Sequence, residues 1–525
     1  MRRVGVLAAL SLSLVASGFS RTLCAQTAKN PRPASRAQDV NRRNLDGSTP
    51  LQWAVYNGDV AEATRLVRAG ADVSLANNYG ATPMSLAAEV GNGEMLKVLL
   101  EAGADVDSPN PDGMTALQAV ARTGNVAAAK LLLDHGAKVD AKEKFGGQTA
   151  LMWASARRHP QMMELLIAKG ADVNASSTDR DYQRHVTAEG RPKSLDSGGF
   201  TPLLYAAREN CIACADVLLK NKADIDLPDP DGVSPLLVAI MNANWDLAKQ
   251  LIDAGADVNQ WDIFGESPLF TAVDQRTRID GGRASIDPLN KTTGLAIVKL
   301  LLERGANPNM QLFFKPAHLR GAGGGGDVRN GAATSTRGST PLIRAANNAD
   351  LEVVKILLEH GADATLYMAD RQTPIHAAIA GRGTEAQAVE MIKLFQTAGT
   401  DVNVVALVNH EEEVRGGSAL HYAVRKRQKD VIKLLASSGI DMNAADQDGL
   451  TALDYTQSRG FMPFMALQTP LYKDEAALLR ELGATKLLDK SPAWPVLGPP
   501  QGIWEDIWPV GESRVHEPVY KHDVP

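Results

Sequence analysis

The sequence predicts an all-α fold, a solenoid of helix–turn–helix units joined by β-hairpin loops. A capping tripeptide recurs at 33-residue steps: Thr49-Pro50-Leu51, Thr82-Pro83-Met84 and Thr115-Ala116-Leu117, then from Thr201 to Ser234 to Ser267, from Thr340 to Thr373, and from Ser418 to Thr451. A glycine closes almost every period, and turn dipeptides such as Asp46-Gly47, Asp112-Gly113, Asp231-Gly232 and Asp448-Gly449 open the next. A fixed period in this range marks stacked repeats, each burying its apolar side only against its neighbours.

From the N-terminus, Arg2 and Arg3 precede an apolar run from Val4 to Val15, and small residues lead to Ala25. That order is expected of an export signal over 1–25, followed by a Pro-rich linker over 26–38. A lipid anchor on Cys24 is disfavoured because Leu23 before it is not small. The run is short for a bilayer span, and no other segment is long and apolar enough. The repeats occupy 39–486 and a Pro/Trp-rich tail occupies 487–525.

Within each period the turn dipeptide suits a tight hairpin. The following Thr or Ser is a helix N-cap, and Pro comes next, where its missing N–H does no harm. A short Ala-rich helix such as Leu86-Ala87-Ala88 follows, then a second helix with a Leu run such as Val98-Leu99-Leu100. It stops at Gly70, Gly103, Gly136 and their equivalents, the residue that accepts the left-handed C′ conformation. Lys222 replaces that Gly once, and a different helix ending is expected there because positive φ is costly for other residues. Ala-Asp-Val-Asn or a variant completes the unit, as at Ala171 to Asn174.

Taken together these residues resemble the ankyrin repeat, over about 39–484 and in eleven units. The fourth motif position keeps the usual His only at His376 and His421, with Gln52, Ser85, Gln118 and Met152 elsewhere. A weaker local hydrogen bond is expected at those places. The resemblance implies an ankyrin-repeat solenoid, protein partners held by hairpin tips and a concave helix face, and no catalysis.

The period runs long at 175–198, 276–294, 310–337, 404–416 and 460–473, with five extra residues also between Thr373 and Gly399. Extra length at the turn between paired helices is expected for 276–294, for 460–473 and between Thr373 and Gly399, and hairpin-edge loops or binding insertions for 175–198, 310–337 and 404–416. The run Gly321 to Gly326 contains GxGxxG, but it lies in no strand–helix context and reads as linker.

Chemistry has few footholds. Cys211 and Cys214 form a CxxC, expected as a disulfide in an exported chain. A periplasmic thiol or redox accessory role is the alternative function, and an enzyme built in the long insertions a second. Two cysteines without a His pair do not make a zinc site, and neither a metal nor a cofactor is expected. His135 and His360 fall before the closing Gly, where a helix C-terminus favours a cationic ring. The net charge of −6 argues against a nucleic-acid partner. The expected partner is a protein, with the chain itself monomeric, periplasmic or secreted, and not inserted in a membrane.

Candidate contacts come from variable positions. Tyr79, Phe145 and Phe264 stand at hairpin tips, with Phe200 beside one, and Tyr56, Arg208 and Arg425 at the ends of first helices. Aromatics and Arg are common interface residues. Trp53, Trp153, Tyr205, Tyr422 and Tyr455 share one first-helix position and read first as packing between repeats. In the tail, Trp504 and Trp508 are expected either to cap the last repeat or to meet a partner, since exposed Trp is a costly patch.

Overall fold

A computed structural model describes residues 39–179, 198–277, 290–312, 337–407, 416–447, 449–456 and 472–486. The export signal, the linker, the glycine run and the tail with Trp504 and Trp508 lie outside the described residues, as does most of each long insertion. The chain divides into two compact units, Met1–Asp172 and Val173–Pro525.

The first unit holds α1 (Pro50–Tyr56), α2 (Val60–Arg68), α3 (Pro83–Val90), α4 (Gly93–Glu101), α5 (Ala116–Thr123), α6 (Val126–Asp134), α7 (Ala150–Ala156) and α8 (Pro160–Ala168). Each first helix starts at a Thr in extended conformation whose hydroxyl accepts the backbone N–H three residues on, as Thr49 does from Gln52 and Thr115 from Gln118. First helices pack in one layer, α1 on α3 on α5 on α7, and second helices in another, α2 on α4 on α6 on α8. The core between the layers is Leu51, Leu66, Leu96, Leu99, Leu117, Leu132, Leu151 and Met162, all buried.

The second unit repeats this with α9 (Pro202–Arg208), α10 (Ile212–Lys220), α11 (Pro235–Met241), α12 (Trp245–Asp253), α13 (Pro268–Thr277), α14 (Gly294–Glu303), α15 (Pro341–Asn347), α16 (Leu351–Glu359), α17 (Pro374–Ala380), α18 (Glu385–Thr397), α19 (Ala419–Arg425), α20 (Lys429–Ser437), α21 (Ala452–Thr456) and α22 (Lys473–Glu481). Odd-numbered and even-numbered helices again form the two layers. Both units are therefore all-α helix-pair solenoids.

Strand pairing at the tips is sparse. Among the described residues β1 (Val405–Ala406) pairs antiparallel with β2 (Gly417–Ser418) at the ends of one insertion. Single bridges join Asp179 to Gly198 and Ala445 to Thr451. Elsewhere a short polar side chain closes the tip by accepting two backbone N–H groups. Asn110 Oδ1 takes those of Asp112 and Met114 at 3.0 and 2.9 Å, and Asp229 Oδ1 those of Asp231 and Val233 at 3.0 and 2.9 Å.

A second ladder ties repeats along the other edge. The residue after the Asp-Val pair accepts a backbone N–H from the next repeat: Asn41 from Asp72 at 2.8 Å, Asn259 from Asn307 at 2.7 Å, Asn403 from Asp441 at 2.8 Å.

Three expectations are corrected. Lys222 ends α10 as the glycines end other helices, with φ +64° and with Ala223 N–H donating to Leu218 at 3.0 Å. The closing hydrogen bonds outweigh the local cost of the conformation. The extra length between Thr373 and Gly399 goes mostly into α18, which has 13 residues against nine in α16. Thr384 and Gln387 form a capping box that starts α18 early. The fourth motif position is not weakened where Gln stands. Gln118 caps Thr115 and its Nε2 donates to Ala141 O at 2.6 Å and Gln148 O at 2.8 Å, whereas His421 Nε2 reaches Leu450 O alone, at 3.0 Å.

Candidate partner-binding surface

In the first unit the tips are fastened in pairs, the first to the second and the third to the fourth. Asn78 donates its N–H to Asp46 O at 3.0 Å and its Nδ2 to Leu45 O at 3.1 Å, and Lys144 N–H donates to Asp112 O at 3.3 Å. The same layer is pinned to the first helices, since Gln52 Nε2 donates to Leu75 O at 2.9 Å and Ala81 O at 2.8 Å. Asn110 Nδ2 donates to Glu89 Oε1 at 3.4 Å, so a tip and the end of α3 share one surface.

That surface exposes apolar groups with little freedom to retract. Tyr79 is 57% and Phe145 55% exposed, and Leu45 projects fully into solvent. Tyr56 at the end of α1 is exposed and packs edge-on against Trp53, with ring centroids 6.0 Å apart. Val90 is exposed at the end of α3, and the Arg122 guanidinium lies 5.9 Å from the Trp153 ring centre. Leu45 and Val90 were not singled out in the sequence, because aliphatics are common in the core positions beside them.

In the second unit the candidate residues engage one another. Arg208 lies 5.0 Å from the Tyr205 ring and 5.7 Å from Phe200, and its Nε donates to Glu209 at 2.9 Å. Arg425 lies 4.3 Å from Tyr422 and 5.8 Å from Tyr455. Tyr205, Tyr422 and Tyr455 are buried, as packing between repeats requires. Arg208 is exposed, while Arg425, Phe200 and Phe264 are half-buried.

Burial sets the protonation here. It pushes the His376 imidazole down to about 3, and it lowers His421 one repeat on. His376 Nδ1 accepts the Thr373 N–H at 3.2 Å, and His421 Nδ1 accepts from Ser418 at 3.0 Å, as neutral rings do. Burial raises Tyr422, and it raises the Asp262 carboxyl to about 6 with help from Asp229 and Asp231. Three ion pairs unforeseen in the sequence cross between repeats. Arg344 Nε donates to buried Asp274 at 2.6 Å, and Arg276 pairs with Asp350 and with Glu352.

Cys211 and Cys214 are joined in a disulfide at the start of α10, 4% and 0% exposed. Cys211 is the N-cap, its Sγ accepting the Cys214 N–H at 3.2 Å. A bond this buried is poorly placed for attack by an outside thiolate. His135 and His360 each bond a carbonyl one turn back at 2.8 Å. Among the described residues no cluster of three or more His, Cys, Asp or Glu could hold a metal ion, and no helix is long and apolar enough to cross a membrane.

Comparison with known proteins agrees with this architecture. The family model for ankyrin repeats in three copies matches residues 16–110, 102–177, 295–406 and 382–461, and single ankyrin-repeat models match 198–230 and 231–260. The E3 ubiquitin-protein ligase KEG of Arabidopsis thaliana is 25% identical over 339 residues, 59% of this chain and 18% of that protein. The ankyrin repeat, SAM and basic leucine zipper domain-containing protein 1 of Atelerix albiventris is 40% identical over 67 residues, 13% of this chain and 14% of that protein. The chain thus spans less than a fifth of the length of either relative. The solved ankyrin repeat domain of Bcl-3 aligns at 25% identity and a TM-score of 0.36, covering 43% of this chain and 94% of that one.

Proposed function

Because the chain belongs to the ankyrin-repeat family, we propose that it is a scaffold that binds protein partners on its hairpin tips and first helices and does no chemistry itself. The observation that carries this reading is the pairwise fastening of the tips in the first unit. The first tip hydrogen-bonds to the second and the third to the fourth, while Tyr79 and Phe145 stay exposed. Ordering lost on binding is small when the contact groups are already held, so such a surface favours association. The buried Cys211–Cys214 bond gives the redox alternative less support than an exposed pair would.

A site-specific test uses a photo-crosslinking phenylalanine analogue at position 79 or 145, compared with position 97 on the outer side of α4. Partner adducts are expected from 79 and 145 and not from 97. Adducts from 97 alone would reject the tip surface.

Export belongs to the same proposal. The leader-like 1–25 supports it, and the disulfide fits an oxidising compartment. Intact mass of the chain recovered outside the cytosol should correspond to an N-terminus at Gln26. A cytosolic chain retaining Met1 would remove export from the reading.

A further inference from the structure

The net charge of the whole chain hides a segregation of charge within the first unit. Its tips and first helices (42–58, 75–91, 108–124 and 142–158) carry seven Lys and Arg against four Asp and Glu. The remaining residues of 39–172 carry six against twelve. The described tips and first helices of 173–525 carry nine Lys and Arg against ten Asp and Glu, so the excess is particular to the first unit.

The cations that matter are unspent. Arg122, Arg157 and Arg158 gather at the ends of α5 and α7, and among the described residues none of the three meets a carboxylate. Arg157 and Arg158 are exposed, and Arg122 lies over Trp153. One carboxylate on the same face, Glu143, is buried and already accepts the backbone N–H groups of Phe145, Gly146 and Gln148. Its charge is turned inward, which leaves the face more positive than the count.

We propose that this face binds an acidic polypeptide segment that carries bulky apolar side chains. The inference deepens the scaffold reading and rests on it. Charge complementarity selects the acid, because three unpaired guanidiniums favour carboxylates and repel a basic segment. The exposed rings of Tyr79 and Phe145 select the apolar groups. Those rings stand two repeats apart, about 20 Å at roughly 10 Å per packed layer. An extended chain at about 3.3 Å per residue covers that span in about six residues. The matching segment is therefore about ten residues long, with two large apolar side chains about six residues apart and carboxylates between and beyond them.

The test uses the full chain and a fluorescein-labelled peptide of Glu and Gly with two Trp six residues apart, read by fluorescence anisotropy at low salt. Comparison probes are the same peptide with Lys for Glu, the same with Ala for Trp, a single-stranded oligothymidylate, and phosphatidylglycerol vesicles. The Glu/Trp peptide should bind most tightly, and more weakly as added salt shortens the Debye length below about 10 Å. Arg122→Glu with Arg157→Glu should weaken it about tenfold, since like charges then oppose it. Phe145→Ser should weaken it about threefold. Lys97→Glu, on the outer side of α4, should leave it unchanged, and unaltered thermal melting confirms that each variant is folded.

The proposal is overturned if the Arg variants bind as well as the parent or if the peptide without Trp binds equally. It also falls if the oligothymidylate or the vesicles bind more tightly. If the Glu/Trp peptide fails while adducts still form at positions 79 and 145, this inference falls and the scaffold reading stands. If both fail, both fall.

Discussion

Lys222 holds φ +64°, a conformation that Gly70, Gly103 and Gly136 adopt at the equivalent point of the first unit. A side chain there costs roughly 1 kcal/mol, and Gly removes that cost while adding freedom to the unfolded chain. Lys222→Gly should therefore raise the urea midpoint, by up to about 1 kcal/mol in stability, and an unchanged or lower midpoint would show that Lys222 contributes through contacts of its own. The sequence marked the position but not the outcome, because the decision lies with the closing bond of Ala223 to Leu218. Gln118 makes a similar case. Its amide both caps Thr115 and donates to two carbonyls of the next tip, so it serves as the motif His does and adds a bond. Gln118→Ala should cost about 2 kcal/mol, because buried partners are left unmet, and Gln118→His should recover most of it. Equal losses for both would mean that the cost is packing alone.

At the scale of elements, α13 is unusual. It runs ten residues where α11 and α15 run seven, and the added turn carries Arg276 to Asp350, the N-cap of α16. Half a turn earlier Asp274, 1% exposed, meets Arg344 on α15. Removing one member of a buried pair strands the other, at a cost of about 3–5 kcal/mol, whereas replacing both by apolar groups is often neutral. Asp274→Ala is expected to destabilise the second unit by about 3 kcal/mol, and Asp274→Ala with Arg344→Met to recover most of that loss. A double mutant as unstable as the sum of the singles would show that the two residues are not coupled. The period placed each helix pair, but it could not place these ion pairs. Asp274 and Arg344 are separated by two insertions whose lengths have no counterpart in the repeat, so their register is visible only once α13 and α15 are packed. The lengthened α18 is the same lesson, since the count of extra residues was readable and their allocation to a helix depended on the Thr384 capping box.

For the molecule as a whole, the 33-residue interval made the fold class readable because nearly every unit repeats the same cap, turn and closing residue, Lys222 standing once for the Gly. The binding face was less readable. A net charge of −6 sums over helices that face opposite ways, and Arg122, Arg157 and Arg158 become one feature only when α5 and α7 lie side by side. The pH response also depends on burial, and two opposed effects set its sign. The folded His376 titrates near 3, below the ordinary 6.5, so below pH 6.5 the unfolded chain takes up a proton that the folded one refuses. Stability from this group is full above 6.5 and falls by about 1.4 kcal/mol per pH unit as the medium becomes more acid. His421 is lowered by the same cause and acts in the same direction. Asp262 is opposite: raised to about 6 from 3.8, its contribution is full below 3.8 and is lost as pH rises to about 6. Between pH 4 and 6 His376 roughly offsets the carboxyl, and His421, lowered by the same burial, adds to the histidine side. The urea midpoint of the full chain should thus fall from pH 7 to pH 5. His376→Gln with His421→Gln, which keeps an amide that can cap as Gln52 and Gln118 do, should flatten that fall, while Asp262→Asn should steepen it. A midpoint that rises on acidification in the parent, or that falls as steeply in the double glutamine variant, would show that the buried histidines do not govern the acid response.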